Sequence, residues 1–464
     1  MNKFARVSRG LQKGFGGGLH RLLDGALYLI PLFVVAGIFD YRFHGYFWNG
    51  LSALRPLGGI AMFDLFSVAS LFVWILLGLY LLTALFVKEV RPRARFRWIY
   101  IVIGMIVAGL VVSRVAYVPL EPVIRSYWFQ AYINYVSPIL MGLVVLFSAG
   151  SGGDNSARFL KRFKMSWMIV FSLFGAAILF EYFTGLFPGG TGDFLERLAW
   201  PYINPLGEME AESANWLSFL FGPMVILSFI GLFKKVISRD SNWKSLISVE
   251  LVCAVISGLI LTLTKSYTGI GVVGLILIGI LFVWLPVRLR KYAVIGVALM
   301  AVVFVATQYN TRKFQILIGN DSQETSLNRR AQIYTLNYEA FKEYPLEGIG
   351  PGNYQAFFRE NVDRYLPDND IPEIEIPPHP HNLVMFWWSD LGVFGFLAAV
   401  MIYVMVLLGI SRKTGGSRKK RNAYLFVVLY FLGNGLLDLP YAMEENSLMF
   451  WALLMMAIAS EDVI

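Results

Sequence analysis

The 464 residues are 57% hydrophobic, 16% aromatic and only 15% charged, with a mean hydropathy of +0.59. Soluble globular chains are nearer half apolar with about a quarter of residues charged, so this composition excludes an ordinary soluble fold and points to an all-α polytopic membrane protein. The formal charge of +9 is not a nucleic-acid signature, because the basic residues are scattered through short segments between apolar runs. The lone cysteine, Cys253, excludes an intramolecular disulfide and a multi-cysteine metal site.

The N-terminal stretch Met1–Leu23 is basic. The apolar run behind it has no small-residue cleavage site, so a cleavable signal peptide is not expected. A membrane span needs ~20 mostly apolar residues, and that ruler predicts about 12 transmembrane helices. They fall at roughly 24–40, 60–87, 98–118, 127–149, 166–187, 214–233, 245–264, 267–285, 292–309, 383–410, 423–439 and 446–460. The polar break Lys265-Ser266-Tyr267-Thr268-Gly269 divides the seventh span from the eighth. With the N-terminus inside, every second loop is basic: Lys3 to Arg21, Lys88 to Arg97, Arg158 to Lys164, Lys234 to Lys244, Arg288 to Lys291, and Arg412 to Arg421. This alternation is the positive-inside pattern; it predicts a multi-pass chain with cytoplasmic termini.

The intervening loops are acidic. Loop 188–213 carries Asp193, Glu196, Glu208, Glu210 and Glu212 against Arg197, and includes Asn204-Pro205. The 310–380 segment is too long to lack structure of its own. Its apolar spacing predicts a helix over Ser326–Tyr344, with Asn328 as N-cap and Pro345 as stop. Pro345 to Gly352 reads as turns, and Asp368–Pro378 is acidic and proline-rich. The domain organisation is therefore transmembrane helices 1–9 over 1–309, one large periplasmic loop containing helices over 310–382, and transmembrane helices 10–12 over 383–464.

Chemistry concentrates where that loop re-enters the apolar phase, at Pro377-Pro378-His379-Pro380-His381-Asn382-Leu383. A histidine titrates near neutral pH and suits general-base work; His381 reads equally as an interfacial residue capping a helix. His379 and His381 form a metal pair only if a third ligand joins them, and none stands at metal spacing. Arg329 and Arg330 suit phosphate or pair with the acids around them. Lys265, at its tight turn, snorkels to headgroups or points at a substrate phosphate. Charges inside spans are costly and mark functional sites or ion pairs; they are Asp64, Arg114, Glu181, Asp390 and Asp438, the last ending the eleventh span. Gly348-Ile349-Gly350-Pro351-Gly352 lacks the Gly-Lys-Ser/Thr of a P-loop.

In this order, the elements resemble the O-antigen ligase and polymerase superfamily, membrane glycosyltransferases of the GT-C type. The resemblance runs from about Trp200 to the C-terminus. It rests on Asn204-Pro205, Leu263-Thr264-Lys265-Ser266, Arg330-Ala331-Gln332-Ile333-Tyr334, Tyr344 to Tyr354, His381-Asn382-Leu383 and Asp390-Leu391-Gly392-Val393-Phe394-Gly395. The family often has Ser-Arg where this chain has Ser266-Tyr267, with Lys265 as the neighbouring replacement for that charge. The resemblance implies a GT-C-like fold in a bacterial inner (plasma) membrane and an inverting transfer, without metal or cofactor, of a glycan from undecaprenyl pyrophosphate at the periplasmic face. His381 would act as base, and Arg330 with Lys265 would offset charge on the leaving pyrophosphate. Arg329, Tyr267, His379 and Asn382 would contact substrate. The donor's lipid tail would lie among the spans and membrane lipids, and the proline-rich loop would shape the acceptor entrance. Lipid A-core is the acceptor expected of a ligase, and a carrier-linked repeat unit that of a polymerase. A protein O-oligosaccharyltransferase is a third variant. A lipid-linked oligosaccharide transporter is the reading from another class, and the absence of half-to-half similarity weighs against it.

Overall fold

The computed structural model describes residues 16–36, 68–87, 97–116, 125–149, 153–184, 198, 200–203, 210–237, 248–285, 287–309, 315, 326–365, 379–411, 423–439, 441 and 444–460. The described residues are helical apart from connecting turns and one short antiparallel ribbon. Helices α1 (Gly16–Tyr28) and α2 (Ile30–Ala36) meet at a 41° bend. They are followed by α3 (Val68–Phe86), α4 (Arg97–Val115), α5 (Arg125–Ala149) and α6 (Gly153–Thr184). Strands β1 (Trp200–Ile203) and β2 (Glu210–Ser213) pair with Trp200 opposite Ser213, inside the acidic loop where the sequence predicted no regular element. Next come α7 (Ala214–Ile237), α8 (Val249–Leu263), α9 (Tyr267–Trp284) and α10 (Val287–Gln308). The large loop contributes α11 (Ser326–Glu343) and α12 (Tyr354–Tyr365), and the chain closes with α13 (Leu383–Ser411), α14 (Ala423–Gly435) and α15 (Glu444–Ser460).

Seven of these helices (α3 to α7, α9 and α13) are long and apolar enough to cross a membrane, or eight if the bent pair is one span. Three shorter apolar helices lie at Val249–Leu263, Tyr424–Gly435 and Glu445–Ser460. The predicted loop helix ends where Pro345 requires, but it begins at Ser326. Asn328 therefore sits inside it rather than capping it, and α12 is an element the periodicity did not reveal. Asp64, Asn204-Pro205 and Asp368–Pro378 lie outside the described residues.

One apolar core runs through the bundle. Helix α6 illustrates how it forms: Phe159, Phe163, Trp167 and Phe171 recur every four residues and so share one helix face. Their rings follow each other at centroid separations of 5.7, 6.2 and 5.6 Å, and Phe171 meets Phe221 of α7 at 5.7 Å. At one end of the bundle the carboxylate of Glu250, 8% exposed, lies 3.0 Å from Lys235 and 3.6 Å from Lys164, tying α6, α7 and α8 together.

The loop helices build a smaller core of their own from Ile333, Leu336, Ala340, Ile349, Tyr354, Phe357, Phe358 and Val362. Three contacts dock this unit on α13. Phe341 stacks on Trp388 at 3.8 Å, and Ser389 Oγ donates to Asn337 Oδ1 at 2.5 Å. Third, the turn after α11 locks into a break in α13. There Gly392 adopts φ 60° and ψ −150°, a backbone state essentially restricted to glycine. Ile349 N donates to Ser389 O at 2.7 Å and Val393 N to Pro345 O at 2.9 Å. Gly348, at φ 67°, completes the fit, since a Cβ there would lie 2.4 Å from Ser389 O. The two glycine-containing segments of the sequence, Pro345–Gly352 and Asp390–Gly395, are thus the two halves of one joint.

Candidate functional site

The site lies beyond the first residues of α13 and the last residues of α14. Asn382 starts α13: its Oδ1 accepts from Val384 N (3.0 Å) and Met385 N (3.1 Å), the arrangement that satisfies helix-start amides. Its Nδ2 donates to Leu436 O at 3.0 Å, which brings the end of α14 alongside. His381, immediately before this cap, has a left-handed backbone with φ 50°. Such a conformation costs a non-glycine residue on the order of 1–3 kcal/mol and concentrates at functional sites.

The left-handed turn points the imidazole at Asp438. His381 Nδ1 and Asp438 Oδ1 are 2.9 Å apart. A carboxylate accepts, so Nδ1 carries the hydrogen and Nε2 remains as the ring's acceptor. Asp438 is 6% exposed. The backbone N–H of Leu439 also donates to Oδ1, at 2.8 Å.

Two more groups converge on the same carboxylate. Asn215, at the head of α7, donates from Nδ2 to Oδ2 at 2.9 Å. Arg330, near the start of α11, brings a guanidinium nitrogen within 3.8 Å of Oδ2; this is a through-space attraction that leaves the remaining guanidinium donors for other partners. Tyr334, one turn further along α11, places its hydroxyl 3.4 Å from His381 O and from Leu436 O.

His379 lies edge to face with His381 at 4.7 Å. Its Nδ1 is buried and finds no hydrogen-bond partner among the described residues. Burial pushes it down to about 3, against the pull of Asp438. It is neutral when folded, whereas the unfolded chain takes up a proton there below 6.5. Stability is thus full above that value and declines as pH falls from 6.5 towards 3. Thermal unfolding in detergent should show a loss of midpoint between pH 7 and pH 5 that His379→Asn reduces. An equal loss in both proteins would refute a buried, neutral His379.

Lys265 and Tyr267 belong to a second turn, between α8 and α9. Lys265 is exposed with φ 49°, and it and His381 are the two non-glycine residues with positive φ among those described. Ser266 caps α9, its Oγ accepting from Gly269 N at 3.3 Å, and the same hydroxyl donates to Asn215 Oδ1 at 2.9 Å. Gly269 permits this approach, since a Cβ there would lie 2.6 Å from Ser218 Oγ of α7.

The fold therefore gathers His381, His379, Asn382 and Arg330 around Asp438, and connects the Lys265 turn to them through Ser266 and Asn215. Tyr267 opens α9 beside that turn. Arg329 lies in α11 next to Arg330, and its side chain is outside the described part. Asp390 stands apart from the dyad: it is 2% exposed and accepts from Tyr135 of α5 at 2.8 Å, beside the Gly392 joint. Asp438 was visible in the sequence as a charge ending a span, but its partner was not. Asn215 went unnoticed; a polar side chain one residue into a span, straight after an acidic loop, was the available signal.

No curated protein matches the chain. Residues 252–400, about a third of the chain, match the family model for O-antigen ligase, a stretch that includes the Lys265 turn, both loop helices, His381 and Asp390, and this bears out the resemblance to the O-antigen ligase and polymerase superfamily read from the sequence.

Proposed function

We propose that the chain is an inverting, metal-independent glycosyltransferase that moves a glycan from undecaprenyl pyrophosphate to an acceptor sugar hydroxyl, and that its acceptor is lipid A-core. The observation that carries this reading is the His381–Asp438 pair at 2.9 Å with Arg330 beside it. It is a general-base dyad with a phosphate-binding cation on the same carboxylate. The family match at residues 252–400 supports the O-antigen class of reaction.

In this mechanism Nε2 of His381 takes the proton from the acceptor hydroxyl as that oxygen attacks the anomeric carbon. The bond from that carbon to the pyrophosphate oxygen breaks on the opposite face, and its electron pair leaves with undecaprenyl pyrophosphate. The new glycosidic bond is inverted. Arg330 and Lys265 offset the charge growing on the departing group. Asp438 keeps the proton on Nδ1 and balances the imidazolium that forms. Arg329, Tyr267, His379 and Asn382 line the substrate path.

The twelve-span topology belongs to the same proposal. The seven long apolar helices, the bent pair, the three shorter ones and α10 each fall on one of the twelve apolar runs of the sequence. The alternation of basic loops supports cytoplasmic termini, and with the family match it favours a periplasmic 310–382 loop and an inner-membrane location.

The test is a reconstitution of the purified protein with undecaprenyl-pyrophosphate-linked glycan, offered either lipid A-core or a carrier-linked repeat unit. A single upward shift of lipid A-core on a gel is the expected result. A ladder on the carrier would replace the ligase with a repeat-unit polymerase. No product from either acceptor, with the lipids bound, would overturn the proposal and favour transport.

A further inference from the structure

We infer that Asn215 is a positioning residue that holds the His381–Asp438 pair in register with the turn bearing Lys265; its consequence for turnover rests on the transferase reading above, whereas its effect on the imidazole does not. The argument starts from how Asp438 divides its oxygens. Oδ1 serves His381 and Leu439 N; Oδ2 accepts from Asn215 at 2.9 Å, with Arg330 waiting at 3.8 Å. A carboxylate this buried, with a guanidinium close by, gains most by rotating into a two-point ion pair with it. That pairing would draw Oδ1 from His381 and occupy Arg330. A neutral amide donor on Oδ2 satisfies that oxygen without cancelling its charge, so the carboxylate keeps facing the imidazole and Arg330 keeps its donors.

An amide performs this task only in one orientation, because its two ends are chemically opposite. Asp438 fixes it: its carboxylate only accepts, so Nδ2 must face Oδ2, and the Ser266 hydroxyl donates to the amide's other end, Oδ1. Ser218, on the next turn of α7, donates to the backbone carbonyl of Asn215 at 2.7 Å, and its hydroxyl lies 3.4 Å from Ser266 Oγ. Ser266 is also the cap of α9 and the neighbour of left-handed Lys265. One side chain thereby ties three elements together: the head of α7, the α8–α9 turn and the end of α14.

Two substitutions separate positioning from simple support. Asn215→Asp keeps the size of the side chain and the acceptor for Ser266, but replaces the donor with a negative charge facing Asp438. Asn215→Ala removes both bonds. If Asn215 served only to hold the helices, both variants would lower stability and leave the His381 tautomer where it is. In the positioning role both variants lower kcat on the order of 10-fold to 100-fold, as loss of a group that orients a catalytic one does. Ser266→Ala, which removes the bond holding the other end of the amide, should move kcat in the same direction.

The second readout is independent of transfer. The chain has four histidines, so 15N-histidine solid-state NMR of the protein in liposomes resolves few signals, and His381→Ala identifies the one of interest. The wild type should show His381 protonated on Nδ1; Asn215→Asp and Asn215→Ala should move it towards the Nε2-protonated form, with His20 unchanged. That shift, found in a protein that transfers no glycan, would uphold the positioning role and remove the transferase reading. An unchanged His381 signal in both variants would overturn the inference.

Discussion

Replacing His381 with alanine should lower turnover by about 10²–10⁴-fold, the span that a positioned general base contributes, while the protein still inserts and keeps its donor affinity. The imidazole is 30% exposed and covers little of the core, so truncation removes chemistry rather than packing. It does leave Asp438 without its principal partner, and Arg330, 3.8 Å away, is the group placed to compensate. Asp438→Asn should approach the same loss by a different route. An amide can donate to Nδ1 and so favour the wrong tautomer; the analogous exchange in a Ser-His-Asp triad costs about 10⁴. Initial rates with a saturating lipid-linked donor, measured beside expression level and size-exclusion profile, distinguish these outcomes. A well-inserted His381→Ala protein that transfers at the wild-type rate would remove the base from the mechanism.

Gly392→Ala should be strongly destabilising, because a left-handed backbone and a close backbone contact coincide there. The backbone conformation alone disfavours a side chain by about 1–3 kcal/mol. The added Cβ would also lie 2.0 Å from Leu346 O and 2.3 Å from Leu346 C. These are backbone atoms of a turn fixed on both sides by hydrogen bonds, and overpacking of this kind adds about another 1–3 kcal/mol. The joint would have to open, taking α11 and Arg330 away from Asp438, so transfer should fall with stability. Gly258→Ala is the natural comparison: nothing lies within 4 Å of its Cβ position in α8, and alanine there should be neutral or stabilising by up to about 1 kcal/mol. Thermal unfolding in one detergent ranks the two. A Gly392→Ala midpoint equal to wild type would contradict the interlock.

The sequence was legible wherever a local period or a punctuating residue decides the outcome. The helices fall on the apolar runs, Lys265 to Gly269 breaks a long run at the observed turn, and Pro345 ends the loop helix. Single-residue chemistry near His381 was legible as well, because a histidine pair at an apolar boundary is conspicuous. The pairings were not. Asp438 lies 57 residues from His381 and 223 from Asn215, and nothing in a linear pattern encodes which turns of a bundle meet. Left-handed backbones at Lys265 and His381 were hidden for the same reason, being imposed by the neighbouring caps and strands of contact rather than by residue type. Helix α12 was missed because its apolar face covers a small satellite core, and charged residues occupy much of the rest.

The interlock at Gly392 also fixes what kind of motion the site can use. Ile349 and Val393 each give their amide hydrogen to the opposite segment, so neither can exchange with solvent unless the turn and the broken helix part company. Deuterium uptake at those two amides therefore reports separation of the loop unit from α13 and nothing smaller. Among the described residues the two-helix unit of the loop is held to α13 by this interlock, so a displacement of α13 is passed to Arg330.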